Sequence, residues 1–254
     1  MLTAAAVCPA PPLLARELTG ADPVVPELRQ ACLDAATELV RSAPDVVAVV
    51  GAGEQTREFG PHVRLDLAAY APALAHGGLH SRGLDRQSGV TGTDEPLPLS
   101  LGLGRMLLEQ AGYGGALALH SVHDRASAAD CAALGTHLAE AAARVALLVM
   151  ADGSARRSLK APGYLDERSA PFDAEVTGAI RDGDMPALLA LDAGLARELM
   201  ATGRPAWQAL AGALSGPPPA VVIRYCDDPF GVAYLVASLS PQHDAVPTSG
   251  RERG

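Results

Sequence analysis

The residues whose side chains suit catalysis or metal binding lie mainly where predicted strands end. They are Cys8, His120, His123, Asp152 and Asp227. A thiol, imidazoles and carboxylates that meet at one edge of a sheet can bind a metal ion or transfer a proton. These strand ends are therefore the candidate site positions.

Each of these residues also fits an ordinary structural role. Cys8 suits a small buried side chain, and Asp152 and Asp227 suit turn or capping positions. The two histidines suit the surface or a hydrogen-bonded core position. No histidine pair has the HExxH spacing of a zinc protease, and the chain has no GxSxG nucleophile elbow. Residue types alone leave both interpretations open.

The tripeptide Gly-Ala-Gly at 51–53 follows an apolar run and invites comparison with a dinucleotide-binding loop. Thr56 stands where that fingerprint needs its third glycine. The nearby Phe59-Gly60-Pro61 is a poor start for the helix that must follow. A tight turn at the end of a strand is the better interpretation.

Composition excludes several classes of protein. The chain has 254 residues, of which 48% are hydrophobic and 19% charged, and this predicts a packed globule rather than disorder. The net charge of -9 argues against a nucleic-acid partner. No apolar run reaches the roughly 18 residues that a membrane span needs. The 4 cysteines form no CxxC pair, which is typical of a reducing compartment, so we expect a cytoplasmic location.

Strand-like and helix-like segments alternate along the chain, which predicts one α/β domain over residues 1–240 and a polar tail over 241–254. The predicted strands are 2–7, 46–50, 116–120, 145–150, 220–225 and 231–239, with a weaker one at 62–67. The predicted helices are 26–42, 98–111, 126–144, 172–181, 185–201 and 206–214. The strands are continuous apolar runs, so we expect a mostly parallel or mixed sheet with helices on both faces. Residues 77–95 are predicted to be a long loop.

Three segments, taken in order, resemble the class III extradiol ring-cleavage dioxygenase superfamily, which includes the catalytic beta subunit of protocatechuate dioxygenase and the Memo-like proteins. They are VCPAPPLL at 7–14, VMADGSARR at 149–157 with APGY at 161–164 and PFD at 171–173, and YCDDPFGVAY at 225–234. The resemblance extends over nearly the whole chain. It implies that superfamily's α/β fold.

In active members of the superfamily, two histidines and a glutamate bind ferrous iron, and another histidine acts as acid and base. The resemblance places Ala10, the 51–53 turn and Ala155 where three of these histidines belong. Only Asp227 or its neighbour Asp228 keeps an acidic group. Alanine can neither bind a metal nor move a proton, so we expect no iron at the family site.

Two hypotheses follow from this comparison. In the first, the chain needs no cofactor and binds a small molecule or a protein partner in the ancestral cleft. In the second, it is an oxidoreductase that binds iron in a rebuilt site. The cleft candidates are Cys8, Ala10, Asp94, Glu95, His120, His123, Asp152, Ser154 and Asp227. The resemblance also predicts that Ala10, Ala52, Ala155 and Asp227 surround one cleft.

Overall fold

The predicted apolar runs form neighbouring strands of a single sheet. The computed structural model describes residues 1–19, 24–65, 67 and 96–242, and these contain a seven-stranded sheet. Its strands are β1 (Leu2–Cys8), β2 (Val46–Ala52), β3 (Arg57–Phe59), β4 (Ala116–Val122), β5 (Val145–Met150), β6 (Ala220–Asp227) and β7 (Tyr234–Ser240). Their order across the sheet is β3-β4-β2-β5-β1-β7-β6.

The centre of the sheet is parallel and its margins are antiparallel. Strands β4, β2, β5 and β1 pair in parallel, whereas β3 and β7 run against their neighbours. Strand β6 completes a hairpin with β7. The carboxyl ends of the four parallel strands therefore meet at one edge of the sheet, where α/β proteins usually bind their ligands.

Helices cover both faces of the sheet. They are α1 (Arg16–Thr19), α2 (Pro26–Arg41), α3 (Leu99–Gln110), α4 (Ala128–Ala139), α5 (Ser169–Asp182), α6 (Met185–Ala190), α7 (Ala193–Glu198) and α8 (Arg204–Ala213), with a 3-10 turn at Pro12–Leu14. Helices α2 and α3 pack on the face that includes Val47 and Val49, and α4 to α8 pack on the face that includes Ala48 and Val50. The prediction of one α/β domain with a mixed sheet is confirmed.

Two predicted elements differ from those observed in more than their bounds. The helix predicted over 185–201 is divided into α6 and α7, because Leu191 is extended and the Asp192 carboxylate accepts a hydrogen bond from the Leu195 N–H at 2.6 Å. The third strand lies at β3 rather than at 62–67, where Leu65 makes only an isolated bridge to Leu97. Strand β3 has 3 residues, too few for a periodic pattern.

Helices α4 and α8 approach each other closely through glycine. A Cβ atom on Gly135 would lie 1.8 Å from the carbonyl oxygen of Ala209, and one on Gly212 would lie 2.1 Å from that of Ala132. The Thr136 hydroxyl also donates a hydrogen bond to the Gly212 carbonyl at 3.1 Å. The two backbones are thus in direct contact, which only glycine permits.

In the part of the chain that the structure describes, no helix has both the length and the apolar character needed to cross a membrane.

Candidate functional site

A cleft of about 620 Å³ lies over the carboxyl ends of the parallel strands. Its lining residues follow β1, β2, β4 and β5 in the chain, and they are joined by β3 and the start of α3. The lining includes Ala10, Ala52, Gly53, Phe59, Pro98, Ser100, Ser121, His123, Asp124 and Asp152. The parallel pairing of the strands thus brings together residues that are far apart in sequence.

Glycine at 51–53 allows α3 and β4 to close around this cleft. A Cβ on Gly51 would lie 2.6 Å from Ser100 Oγ, and one on Gly53 would lie 2.6 Å from Ser121 Cβ. Ser100 Oγ donates a hydrogen bond to the Ala52 carbonyl at 2.7 Å. These glycines therefore serve close packing at the cleft wall.

Asp152 is the partly buried carboxyl group of the cleft. It follows β5, and its Oδ1 accepts a hydrogen bond from the Ala10 N–H at 2.9 Å. Its side chain opens only partly to the cleft and is otherwise surrounded by protein, and this burial raises its pKa to about 6. The Ala10 hydrogen bond acts in the opposite direction but is the weaker influence. Asp152 can therefore gain or lose a proton near neutral pH.

The pKa of Asp152 predicts a pH-dependent stability difference between the wild type and Asp152→Asn. The folded-state pKa exceeds the unfolded value, so Asp152 costs stability as pH rises from about 4 to about 7. Asparagine keeps the acceptor for Ala10 and cannot ionise. We expect the free energy of unfolding of Asp152→Asn to rise relative to that of the wild type by on the order of 2 kcal/mol across this pH range, after allowance for solvent in the cleft.

Urea denaturation at a series of pH values measures this difference. The Asp124→Asn variant changes an exposed carboxylate in the same cleft and controls for the loss of charge. A constant difference between wild type and Asp152→Asn from pH 4 to pH 8 would contradict the raised pKa.

His123 contributes an imidazole to the same cleft. Its Nδ1 accepts a hydrogen bond from the Arg125 N–H at 3.0 Å, while Asp124 Oδ1 lies 3.1 Å from the same nitrogen. Nδ1 cannot make both contacts at once, because it accepts from Arg125 only without a proton and donates to Asp124 only with one.

Arg204 fixes the backbone that carries His123 and Asp124. It lies at the start of α8 with only 1% of its surface exposed. Its guanidinium donates to the carbonyls of Asp124 and Ala126, the latter at 3.0 Å, and to Gln208 Oε1 at 2.7 Å. This buried cation was not among the residues singled out from the sequence. Sequence gives no sign of it, because the two carbonyls that accept from it are 80 and 78 residues away.

Several predicted site residues occupy other positions. Cys8 is completely buried next to Cys32 of α2, and the pKa of Cys32 is raised by its hydrogen bond with Cys8 and by burial. His120 is half-buried in β4, opposite Glu58 of β3, and burial lowers its pKa. Ser154 is buried and donates to Asp173 from both its hydroxyl, at 2.5 Å, and its N–H, at 2.9 Å. Asp94 and Glu95, and the predicted loop at 77–95, lie outside the described residues.

Asp227 lies in a second cleft, of about 380 Å³, bordered by α5, β6 and β7. Ala155 is 8% exposed and belongs to the lining of neither cleft. Of the four positions expected to share one cleft, Ala10 and Ala52 do so and Ala155 and Asp227 do not. The segment after β5 separates the two clefts, with Asp152 lining the first and Gly153 the second.

The donors in the first cleft do not fit the iron site of the resembled superfamily. That site needs two imidazoles and a carboxylate on one metal ion. The first cleft offers a single imidazole, that of His123, and the carboxylates of Glu54, Asp124 and Asp152, with methyl groups at Ala10 and Ala52. Among residues 1–19, 24–65, 67 and 96–242, no three His, Cys, Asp or Glu side chains are grouped so that they could hold a metal ion.

Comparison with known proteins identifies a similar fold. No family model matches the chain, and no curated protein matches it. Among solved structures, it is similar to the uncharacterized protein JW3007 from Escherichia coli K12, with 14% sequence identity and a TM-score of 0.51. The match covers 94% of this chain and 99% of that one. At this level of identity the similarity concerns the fold, so the described chain shares its α/β architecture with that protein.

Proposed function

We propose that this chain is a divergent relative of the class III extradiol dioxygenases that binds a small molecule in the first cleft without ferrous iron. One observation carries the proposal. Ala10 and Ala52, which occupy the positions of two iron-binding turns in the resembled family, line the same cleft as the partly buried Asp152. The cleft is retained while its imidazoles are replaced by methyl groups.

The lining indicates the kind of molecule that would bind. Phe59 and Pro98 provide apolar surface, and Ser121, His123 and Asp152 provide hydrogen-bonding groups. A cleft of about 620 Å³ falls within the usual range of small-molecule sites, about 300–1,000 Å³. A ring-sized molecule with hydroxyl substituents, such as a catechol, matches this combination. The resemblance to ring-cleavage enzymes favours the same class.

A specific observation favours a second candidate function, an enzyme with a rebuilt site. Asp152 has a pKa raised to about 6, and it shares the cleft with His123. A carboxyl group that titrates near neutral pH and a nearby imidazole can divide the roles of general acid and general base. In this function Asp152 would move the proton, and Ala10 N–H would hold its carboxylate in place.

Iron loading distinguishes the proposal from an intact dioxygenase. After anaerobic incubation with ferrous iron and desalting, we expect well under one iron per chain and no cleavage of catechol or protocatechuate. Elemental analysis and product detection measure the two results. Stoichiometric iron in the wild type, or ring opening that is lost in Asp152→Asn, would overturn the metal-free proposal.

A double variant tests the assignment of the alanine positions. Ala10→His combined with Ala52→His places two imidazoles in the cleft that contains Asp152. Two histidines and a carboxylate form the ligand set that ferrous iron prefers. We expect this variant to retain more iron than the wild type. A folded double variant that retains no additional iron would contradict the correspondence between these alanines and the ligand turns.

Calorimetry with catechol in the presence of a chelator tests small-molecule binding itself. Ala52→Leu should weaken binding because its side chain narrows the cleft, whereas Ala129→Leu on the exposed side of α4 should not. Equal affinity in both variants would place the ligand elsewhere.

Air-exposed reactions analysed by mass spectrometry test the second candidate function. Turnover should disappear in Asp152→Asn and persist in Ala129→Leu.

A further inference from the structure

The second cleft, on the opposite side of the Asp152–Gly153 segment, has features that the proposed function does not use. Its volume of about 380 Å³ is near the lower end of the usual ligand-site range of about 300–1,000 Å³. Val176, Tyr234 and Leu235 supply apolar surface, and each is at most 6% exposed. The space is therefore large enough for a molecule the size of an amino acid.

An unpartnered donor lies in the wall of this cleft. Trp207 of α8 is 1% exposed and lines the cleft, and its Nε1 is buried without a hydrogen-bond acceptor among the described residues. A buried polar group without a partner costs about 1–3 kcal/mol. A ligand that brings an acceptor to the indole N–H would recover this cost.

Some charged side chains around the cleft pair with one another, and two others have no ion-pair partner among the described residues. Arg157 Nε lies 2.7 Å from Asp228 and 3.8 Å from Asp173, and Asp173 also accepts both Ser154 hydrogen bonds. These groups satisfy one another and shape the cleft.

Arg181 and Asp227 remain at the exposed rim. Among the described residues, Arg181 has no carboxylate within ion-pair distance, and the Asp227 carboxylate accepts a hydrogen bond from the Asp228 N–H at 2.8 Å but has no cationic partner. Both residues line the same cleft. The rim thus offers one positive and one negative group to a bound molecule.

We propose that the second cleft binds a small zwitterion of the α-amino-acid type with an apolar side chain. The carboxylate of such a molecule matches Arg181, its ammonium matches Asp227, and its apolar side chain matches the buried wall. Its carboxylate oxygens also supply the acceptor that Trp207 Nε1 lacks. This site is separate from the proposed function of the first cleft.

The native protein contains two probes of this cleft. Trp207 is the only tryptophan, so intrinsic tryptophan fluorescence reports directly on its surroundings. Cys226 also lines the cleft and is exposed, whereas Cys8, Cys32 and Cys131 are buried. The rate at which a disulfide reagent such as DTNB modifies Cys226 therefore reports whether the cleft is occupied.

The experiment titrates the full chain with L-phenylalanine and L-leucine, and with two single-charge analogues, phenethylamine and 3-phenylpropionate. We expect at least one amino acid to change Trp207 emission and to slow Cys226 modification. Each single-charge analogue should bind at least about tenfold more weakly than phenylalanine, because it lacks one rim contact. No response to either amino acid, or equal affinity for an analogue and phenylalanine, would overturn the proposal.

Exposed variants test the assigned contacts without disturbing the core. Arg181→Met and Asp227→Asn should each weaken binding at least about tenfold, and Arg41→Met, on the exposed end of α2, should leave it unchanged. Trp207→Phe, a substitution in the core, removes the N–H and keeps an aromatic ring, so it should also weaken binding, and Cys226 protection measures its affinity. Unchanged affinity in both rim variants would exclude a zwitterion at this site, whatever the result for the first cleft.

Discussion

Replacement of Gly135 by alanine should destabilise the protein by about 3 kcal/mol or more, because the added Cβ has no space. It would lie 1.8 Å from the Ala209 carbonyl oxygen, so α4 and α8 must move apart or the backbone must distort. Separation of these helices would also open the core that contains Leu138 and Leu210. Urea denaturation of the purified variant measures the loss.

Gly178→Ala is the matched control for this substitution. Gly178 lies within α5, and a Cβ at this position would meet nothing within 4 Å. Alanine is a better helix former than glycine, so we expect Gly178→Ala to raise the free energy of unfolding by about 0.5–1 kcal/mol. A Gly135→Ala variant as stable as the wild type would show that α4 and α8 do not pack through their backbones.

Arg204→Met should lower the free energy of unfolding by about 2–4 kcal/mol, because it leaves one buried and two partly buried acceptors without their donor. The carbonyls of Asp124 and Ala126 and the Gln208 Oε1 would each lose their partner in Arg204. Methionine keeps much of the apolar volume, so the loss reports the hydrogen bonds rather than a cavity. Thermal and urea unfolding measure the effect.

Two further variants distinguish the hydrogen-bond geometry of the guanidinium from its positive charge. Arg204→Lys keeps a positive charge but cannot span acceptors that lie in different directions, so it should recover only part of the loss. Arg197→Met removes an exposed arginine of the neighbouring α7 and should change stability by no more than about 0.5 kcal/mol. Full recovery in Arg204→Lys would show that charge, rather than hydrogen-bond geometry, stabilises this loop.

Much of the sheet could be predicted because most of its strands coincide with apolar runs that are visible in the local sequence. The runs that form β1, β2 and β5 are apolar over five or more consecutive residues, and a strand buried on both faces needs no more than that. Strand β3 could not be predicted, since it has 3 residues and depends on pairing with β4. The break at Leu191 depends on a single capping carboxylate, Asp192.

The site could be predicted only where strand ends determine it. Asp152 and His123 were singled out from their positions after apolar runs, and both line the first cleft. Asp227 also follows a strand, but β6 is separated from the parallel centre by β7 and ends at the second cleft. Arg204 donates to carbonyls that are far away in the sequence, and Trp207 Nε1 is buried without an acceptor among the described residues. Neither feature has a local sequence pattern.

The placement of β1 has a consequence for how the chain folds during synthesis. Ala5 in β1 pairs with Leu147 in β5 on one side and with Leu239 in β7 on the other. Strand β1 therefore pairs on one side with a strand that is synthesised more than 200 residues later, and this pairing closes a loop of that length. Until β7 pairs, β1 presents an open apolar edge of the kind that makes folding intermediates prone to aggregation, so we expect the yield of folded protein to depend on protection of the nascent chain.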